Sequence, residues 1–228
     1  MSPEFEAARP RILEAALLRV PFDGWTWATV QAAAADVGFD TPMARRCFPR
    51  GLAQVIEFFV SDADRRMVEE LEHRNLATMK IRERIATAVR VRLEQNTQHR
   101  DAIRRALALQ TTPQHATAGI GGMARTVDLM WRAAGDDSTD FNWYTKRALL
   151  AAVYGSTLLY WLDDTSADFQ ATWKFLDRRI ENVMQIQKLR GRLDQSLARF
   201  DAPLKRALIG FGRRTARSQS HQDPTPSV

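Results

Sequence analysis

The run Trp143-Tyr144-Thr145-Lys146-Arg147 sets two large aromatics beside two cations at the start of a helical stretch. Aromatic and arginine side chains are enriched at binding hot spots, so the chemistry this run offers is recognition of a partner. A plainer reading stands beside it, in which one aromatic faces the core and the others are unengaged. The next residues, Ala148 to Leu162, form 15 positions without a charge. Most such helices are core. Tyr154, Tyr160 and Trp161, with the nearby Trp131, also suit a tunnel for a long apolar ligand, with hydroxyls or an indole N–H for its head group.

Catalytic groupings are not found. Of the four histidines, His73, His99, His115 and His221, only Glu70-Leu-Glu-His73 has the Glu-x-x-His spacing that helical bundles use for paired metals. A di-metal site needs that motif twice, with two further carboxylates, and there is no second copy; Glu70 and His73 are expected on a solvated helix face. Cys47 is the single cysteine, so no intramolecular disulfide can form, and nothing in its position marks it as a nucleophile. Neither a phosphate loop nor a dinucleotide fingerprint is present. No catalytic residue, metal or cofactor is expected, and the chain does not read as an enzyme.

The 228 residues carry a net charge of +6, and its distribution matters more than its total. Residues 1–50 hold six arginines against six acids, a balance of zero, whereas Arg190 to the end holds eight basic residues against three acidic ones. In that tail Leu197, Phe200, Leu204, Leu208 and Phe211 fall on one helical face, with Lys205, Arg206, Arg213 and Arg214 around it. Such a helix suits the membrane interface, where apolar burial and attraction to anionic lipid add. Docking of the same face on the protein's own body is the plainer alternative. Ala148 to Leu162 falls short of the roughly 20 apolar residues a membrane span needs. The first twenty residues include Glu4, Glu6 and Glu14 and lack the pattern of a signal or transit sequence. The expected location is cytoplasmic, peripheral on the inner membrane.

The elements that must position these residues are all helical. Apolar residues recur at helical spacing in nearly every segment, and no stretch alternates as a strand would. An all-α fold is predicted. One helix covers 9–20, and Pro21 with Asp23-Gly24 ends it. A second follows Thr26 as N-cap and stops at Gly38, and a short third is capped by Thr41 and closes at Phe48-Pro49. A long helix is expected from Leu52 to Leu76, then helices over Ile81–Gln95 and Asp101–Leu109, the last with Ile103 and Leu107 inward. Gly119, Gly121 and Gly122 imply a kink, a close approach by a helix or ligand, or a plain break. A helix from near Asn142 to Leu162 and the next one, through Phe169, Trp173, Leu176, Ile180 and Val183, form an antiparallel pair. The organisation expected is a helix-turn-helix-like segment (1–50), a body (51–190), an amphipathic helix (191–217) and a disordered tail (218–228).

The helix, helix, glycine turn, short helix and Phe-Pro order of the first fifty residues resembles the N-terminal part of TetR-type regulators, whose short helix reads DNA. DNA affinity draws mainly on phosphate neutralisation, and this segment is electrically neutral, so no nucleic acid is expected. Farther along, the words Trp131-Arg-Ala-Ala-Gly135, Ser138-Thr-Asp-Phe-Asn-Trp-Tyr-Thr-Lys-Arg147, Ala-Leu-Leu-Ala-Ala-Val-Tyr154, Thr172-Trp173 and Phe175-Leu176 resemble the ninth coenzyme Q (ubiquinone) biosynthesis protein family. That resemblance implies a TetR-like bundle, a homodimer, and an accessory role in which isoprenoid lipid or a quinone intermediate is presented to a di-iron hydroxylase. It implies a partner-binding patch of Asp140, Trp143, Tyr144 and Arg147 with Met130 and Trp131 nearby. It also raises the lipid-facing reading for Tyr154, Leu158, Trp161 and Trp173, and supports membrane contact for the tail. The alternative is a ligand-responsive TetR-type transcriptional regulator.

Overall fold

The computed structural model of the protein describes residues 3–136 and 141–185. Every regular element among them is helical. Helices α1 (Pro3–Asp23), α2 (Trp27–Asp36) and α3 (Thr41–Cys47) come first. Then follow α4 (Leu52–Glu72), α5 (Ile81–Glu94), α6 (Arg100–Gln110), α7 (Pro113–Ala133) and α8 (Phe141–Asp163). A last helix, α9, starts at residue 170. Contacts divide the chain into a compact unit, Met1–Ile180, and a second from Glu181, of which residues 181–185 are described.

Local chemistry sets the ends of these helices. Thr26 caps α2, its hydroxyl accepting from the Thr29 N–H at 3.0 Å. The cap of α3 is Asp40, whose carboxylate accepts from the Met43 N–H at 2.8 Å; Thr41 is already helical. Of the expected stop signals, Asp23-Gly24 ends α1 and Pro21 lies inside its last turn. A proline in the last turn forfeits one N–H bond, yet the Gly24 N–H still closes on the Val20 carbonyl at 2.9 Å. Gly24, at φ +73°, makes the stop. Helix α4 ends at Glu72 rather than Leu76, because Leu76 instead tucks into a separate 3-10 turn, Leu76–Thr78.

Two packed regions result. In the first, Ile12, Val20, Val30, Phe48, Val55 and Phe59 lie fully or almost fully buried among α1 to α4. Each such side chain is worth roughly 1.5–3 kcal/mol on burial. Helix α6 closes this core through Ala102 and Ala106, and the Trp25 indole donates to the Ala102 carbonyl at 2.9 Å. The small residues of α6 thus face the core, because the indole needs to reach a helix backbone. Ile103 also packs, partly buried, against this core, and Leu107 is half-buried.

The second region is centred on α7, which packs against α4, α5, α6 and α8. It runs unbroken through Gly119, Gly121 and Gly122. A Cβ on Gly119 would lie 2.9 Å from the Gln110 amide oxygen, so close approach, not a break, is what that glycine permits. Helix α8 is held at its C-terminal end from α6. The Arg100 guanidinium donates to the carbonyls of Trp161, Leu162 and Asp164 at 2.7, 2.6 and 2.9 Å, covering acceptors that a helix end leaves open. The connection to α9 is fixed by Asp164, which accepts from the Ser166 N–H and from the Thr172 N–H and hydroxyl. Burial would raise its carboxyl, but these hydrogen bonds, the Thr172 hydroxyl foremost, outweigh that and hold it at about 2.

Candidate functional site

Helices α7 and α8 are joined by a charged network at the N-terminal end of α8. Arg147 donates from Nε to Asp128 at 2.7 Å and lies 3.5 Å from Asp136. Asp128 is also held by Arg132, and Asp136 by Lys146 at 2.6 Å. The Trp131 indole N–H donates to the Lys146 carbonyl at 3.1 Å. The Arg147 guanidinium is largely buried and stacks over the Trp143 ring at 4.0 Å, a cation–π contact that fixes the indole. Tyr144 packs edge-on against Trp143, centroids 4.7 Å apart, and is itself 69% exposed.

The six residues expected as a partner patch therefore divide. Trp143 and Tyr144 form an aromatic edge at the surface, Arg147 and the half-buried Trp131 brace it from beneath, and Met130 is fully buried with no surface to offer. The α7–α8 packing thus leaves Arg147 and Met130, both expected in the patch, without a surface for direct contact with a partner. Asp140 lies outside the described residues, as do Leu204, Leu208, Phe211, Lys205, Arg206, Arg213 and Arg214 of the expected membrane helix.

Trp143, Tyr144 and Arg147 also wall one end of a groove of about 700 Å³ between α6, α7 and α8. Its remaining lining is mostly apolar and includes Leu107, Ile120, Met123 and Val127. That volume falls within the ~300–1,000 Å³ usual for small-molecule sites. Leu107, Gln110, Gly119 and Met123 also line a smaller cavity of about 100 Å³, which reaches inward to α4 and α5. Tyr154 and Leu158, two of the expected lipid-facing residues, line this inner cavity. Trp161 and Trp173 line neither space. Trp161 is fully buried between the Arg100 guanidinium and Phe169, and Trp173 packs under Arg90 and donates to the Asp168 carbonyl at 2.9 Å.

Arg92, Arg125 and Thr126 line the inner cavity, and a buried acid that no sequence motif announces stands behind them. Asp64 of α4, 1% exposed, accepts from the Arg92 Nε at 3.0 Å and from the Thr126 hydroxyl. Arg125 lies 3.5 Å from the same carboxylate. The available signal was the position of Asp64 on the apolar stripe Val60, Met67 and Leu71, where an acid must be paired to be tolerated. Burial raises the Tyr154 phenol above its ordinary range, Arg92 opposing and Asp64 adding, so it remains a proton donor at neutral pH.

Elsewhere the side chains offer little chemistry. Among the described residues no group of three or more His, Cys, Asp or Glu is arranged to hold a metal ion. Glu70 is half-buried and paired with Arg74 at 2.9 Å, and His73 is exposed. Cys47 is buried, which pushes its thiol above the usual range and away from the reactive thiolate. No helix among the described residues is long and apolar enough to cross a membrane.

Residues 116–187 match the COQ9 family model. The chain is 34% identical over 188 residues to the mitochondrial ubiquinone biosynthesis protein COQ9 of Homo sapiens, covering 79% of this chain and 59% of that protein. With its counterpart from Drosophila melanogaster it shares 31% over 208 residues, 90% of this chain and 64% of the other. It thus spans less than two thirds of the length of either relative. Among solved structures, the TetR transcriptional regulator from Nitrosomonas europaea ATCC 19718 aligns with a TM-score of 0.64 at 21% identity, covering 76% of this chain and 95% of that one. That is a likeness of fold. Residues 116–187, which supply α8, most of α7 and the aromatic edge, are therefore a COQ9 family domain, and the chain is a COQ9 relative built on a TetR-like fold.

Proposed function

We propose that this chain acts in ubiquinone biosynthesis as a non-catalytic lipid-binding protein, taking an isoprenoid lipid or quinone intermediate from the membrane surface and presenting it to the di-iron hydroxylase of that pathway. The observation that carries the reading is the juxtaposition of an apolar groove of about 700 Å³ with the exposed Trp143–Tyr144 edge at its end. A ligand held there lies next to the surface on which a partner would dock. The names of the human and fly relatives supply the pathway. The TetR-like fold by itself does not favour a regulator, and the zero net charge of residues 1–50 argues against tight DNA binding.

Two features of the wider reading rest on single elements. The basic amphipathic segment around Leu204, Leu208 and Phe211 is assigned to the membrane surface on its composition. A homodimer through α8 and α9 is favoured by Leu159, 60% exposed, and by Tyr160, which stacks on Phe175 at 4.6 Å along the same face. The test of the central claim is mass spectrometry of lipid that copurifies with the protein, together with hydroxylase capture by wild type and Trp143→Lys. A bound isoprenoid and loss of capture by the folded variant are expected. Absence of any lipid, or undiminished capture, overturns the proposal.

A further inference from the structure

The inner cavity carries more positive charge than its buried surroundings neutralise. Arg92 and Arg125 both line it, and the carboxylate that meets them is Asp64. The acid that lines the cavity itself, Glu57, is engaged by Arg50 at 2.7 Å. Asp64 is held close by Arg92 and by the Thr126 hydroxyl, and reaches the Arg125 Nε only at 3.5 Å. The Arg125 side chain is 38% exposed overall, but its Nη2 is buried and makes no hydrogen bond, and Tyr154, 5% exposed, lines the same cavity. A buried donor without an acceptor is costly, and one that lines an apolar chamber beside a second guanidinium and a phenol calls for a ligand oxygen. The chamber is small, about 100 Å³, while the groove that shares Leu107, Gln110, Gly119 and Met123 with it has about 700 Å³. The two spaces thus suit a compact head and a long chain.

We propose that the inner cavity is a head-group site for a long-chain carboxylate, the anionic oxygens meeting Arg125, Arg92 and Tyr154 while the chain passes Gly119 into the groove beside Trp143. This deepens the lipid-binding reading above and rests on it. The net single positive charge of the Arg92, Arg125 and Asp64 group matches one carboxylate, and charge-assisted bonds from guanidinium to carboxylate are the strong kind. Gly119 is the waist. Its missing Cβ leaves the Gln110 side chain room beside the passage.

The experiment compares oleate with oleyl alcohol, which share a chain and differ in head charge, by displacement of a fluorescent apolar probe from the full-length protein. Wild type is expected to bind oleate about tenfold or more tightly than the alcohol, the factor that about 1.4 kcal/mol brings. Arg125→Met, and independently Tyr154→Phe, should shrink that preference while leaving affinity for the alcohol within about twofold, well inside that same tenfold step. Gly119→Val should weaken both ligands together. Equal affinity of wild type for the two ligands, or a preference that survives Arg125→Met, overturns the head-group assignment and leaves lipid binding standing. Failure of wild type to bind either overturns the head-group assignment, while the copurifying lipid tests the lipid-binding reading separately.

Discussion

Replacing Asp64 by alanine tests whether the buried polar wall is integral to the fold. The carboxylate is 1% exposed, and the Arg92 side chain that it holds is 8% exposed, so neither can turn to water without disturbing α4, α5 and α7. Removing one partner of a buried ion pair costs about 3–5 kcal/mol, chiefly because the remaining charge stays desolvated. The Thr126 hydroxyl loses its acceptor as well. Against a total stability of ~5–15 kcal/mol, the variant should unfold about 10 °C below wild type, at about 2–4 °C per kcal/mol for a chain of this size. Circular dichroism at 222 nm, with urea titration at 25 °C, reads the change. The triple variant Asp64→Leu, Arg92→Met, Thr126→Val should recover most of the loss, since an apolar replacement of the whole group removes the desolvation cost. A loss below about 1 kcal/mol in the single variant, or a triple variant no more stable than the single, would refute the reasoning.

Arg100→Met removes the donor to three carbonyls at the end of α8 and should cost about 2–3 kcal/mol, with Arg100→Lys recovering part of it; urea titration of the three proteins checks this. For Asp164, the folded carboxyl at about 2 lies below its unfolded 3.8, so its contribution, about 2 kcal/mol, is fully present above that value and is lost as pH falls through 2. The stability gap between wild type and Asp164→Asn should therefore close between about pH 4 and pH 2 in a pH series of urea titrations. Arg147→Met should free the Trp143 ring from its cation and leave Asp128 one partner poorer. The expected result is about 2–4 kcal/mol of destabilisation together with a red-shifted, more solvent-exposed tryptophan emission.

Most helices were legible because their apolar residues recur at helical spacing and their ends carry recognisable caps. The misses have local causes. Thr41 and Asp40 are both good N-cap residues, and only the backbone geometry decides that Asp40 takes the Met43 N–H. On α6 the large residues Ile103 and Leu107 were expected inward and are partly buried, while close packing against Trp25 gives the deepest positions to Ala102 and Ala106. The candidate site was legible in part. Trp143 and Tyr144 could be found from composition, since both are large and sit in one short run. Asp64, Arg92 and Thr126 lie on three helices, 28 and 62 residues apart from Asp64, and no periodicity connects positions so distant. Trp161 and Trp173 show the converse limit, because an aromatic on an apolar face has the same spacing whether it meets a cavity or a cation.

Helix α8 is fastened at both ends, by Arg100 to its final carbonyls and by Arg147 to Asp128 on α7. A rod pinned twice cannot swing aside to admit a chain between itself and its neighbours. The compliance needed for loading therefore falls to the opposite bank, the corner at Thr111 and Thr112 where α6 turns into α7, with Gly119, Gly121 and Gly122 in the first turns beyond it. Glycines in a helix cost backbone entropy to order, so this bank opens at lower free energy than the rod it faces. Amide hydrogen exchange should run fastest there and slow when a ligand seats. The aromatic edge on the rod would meanwhile keep its position, offering a docking partner the same surface before and after loading.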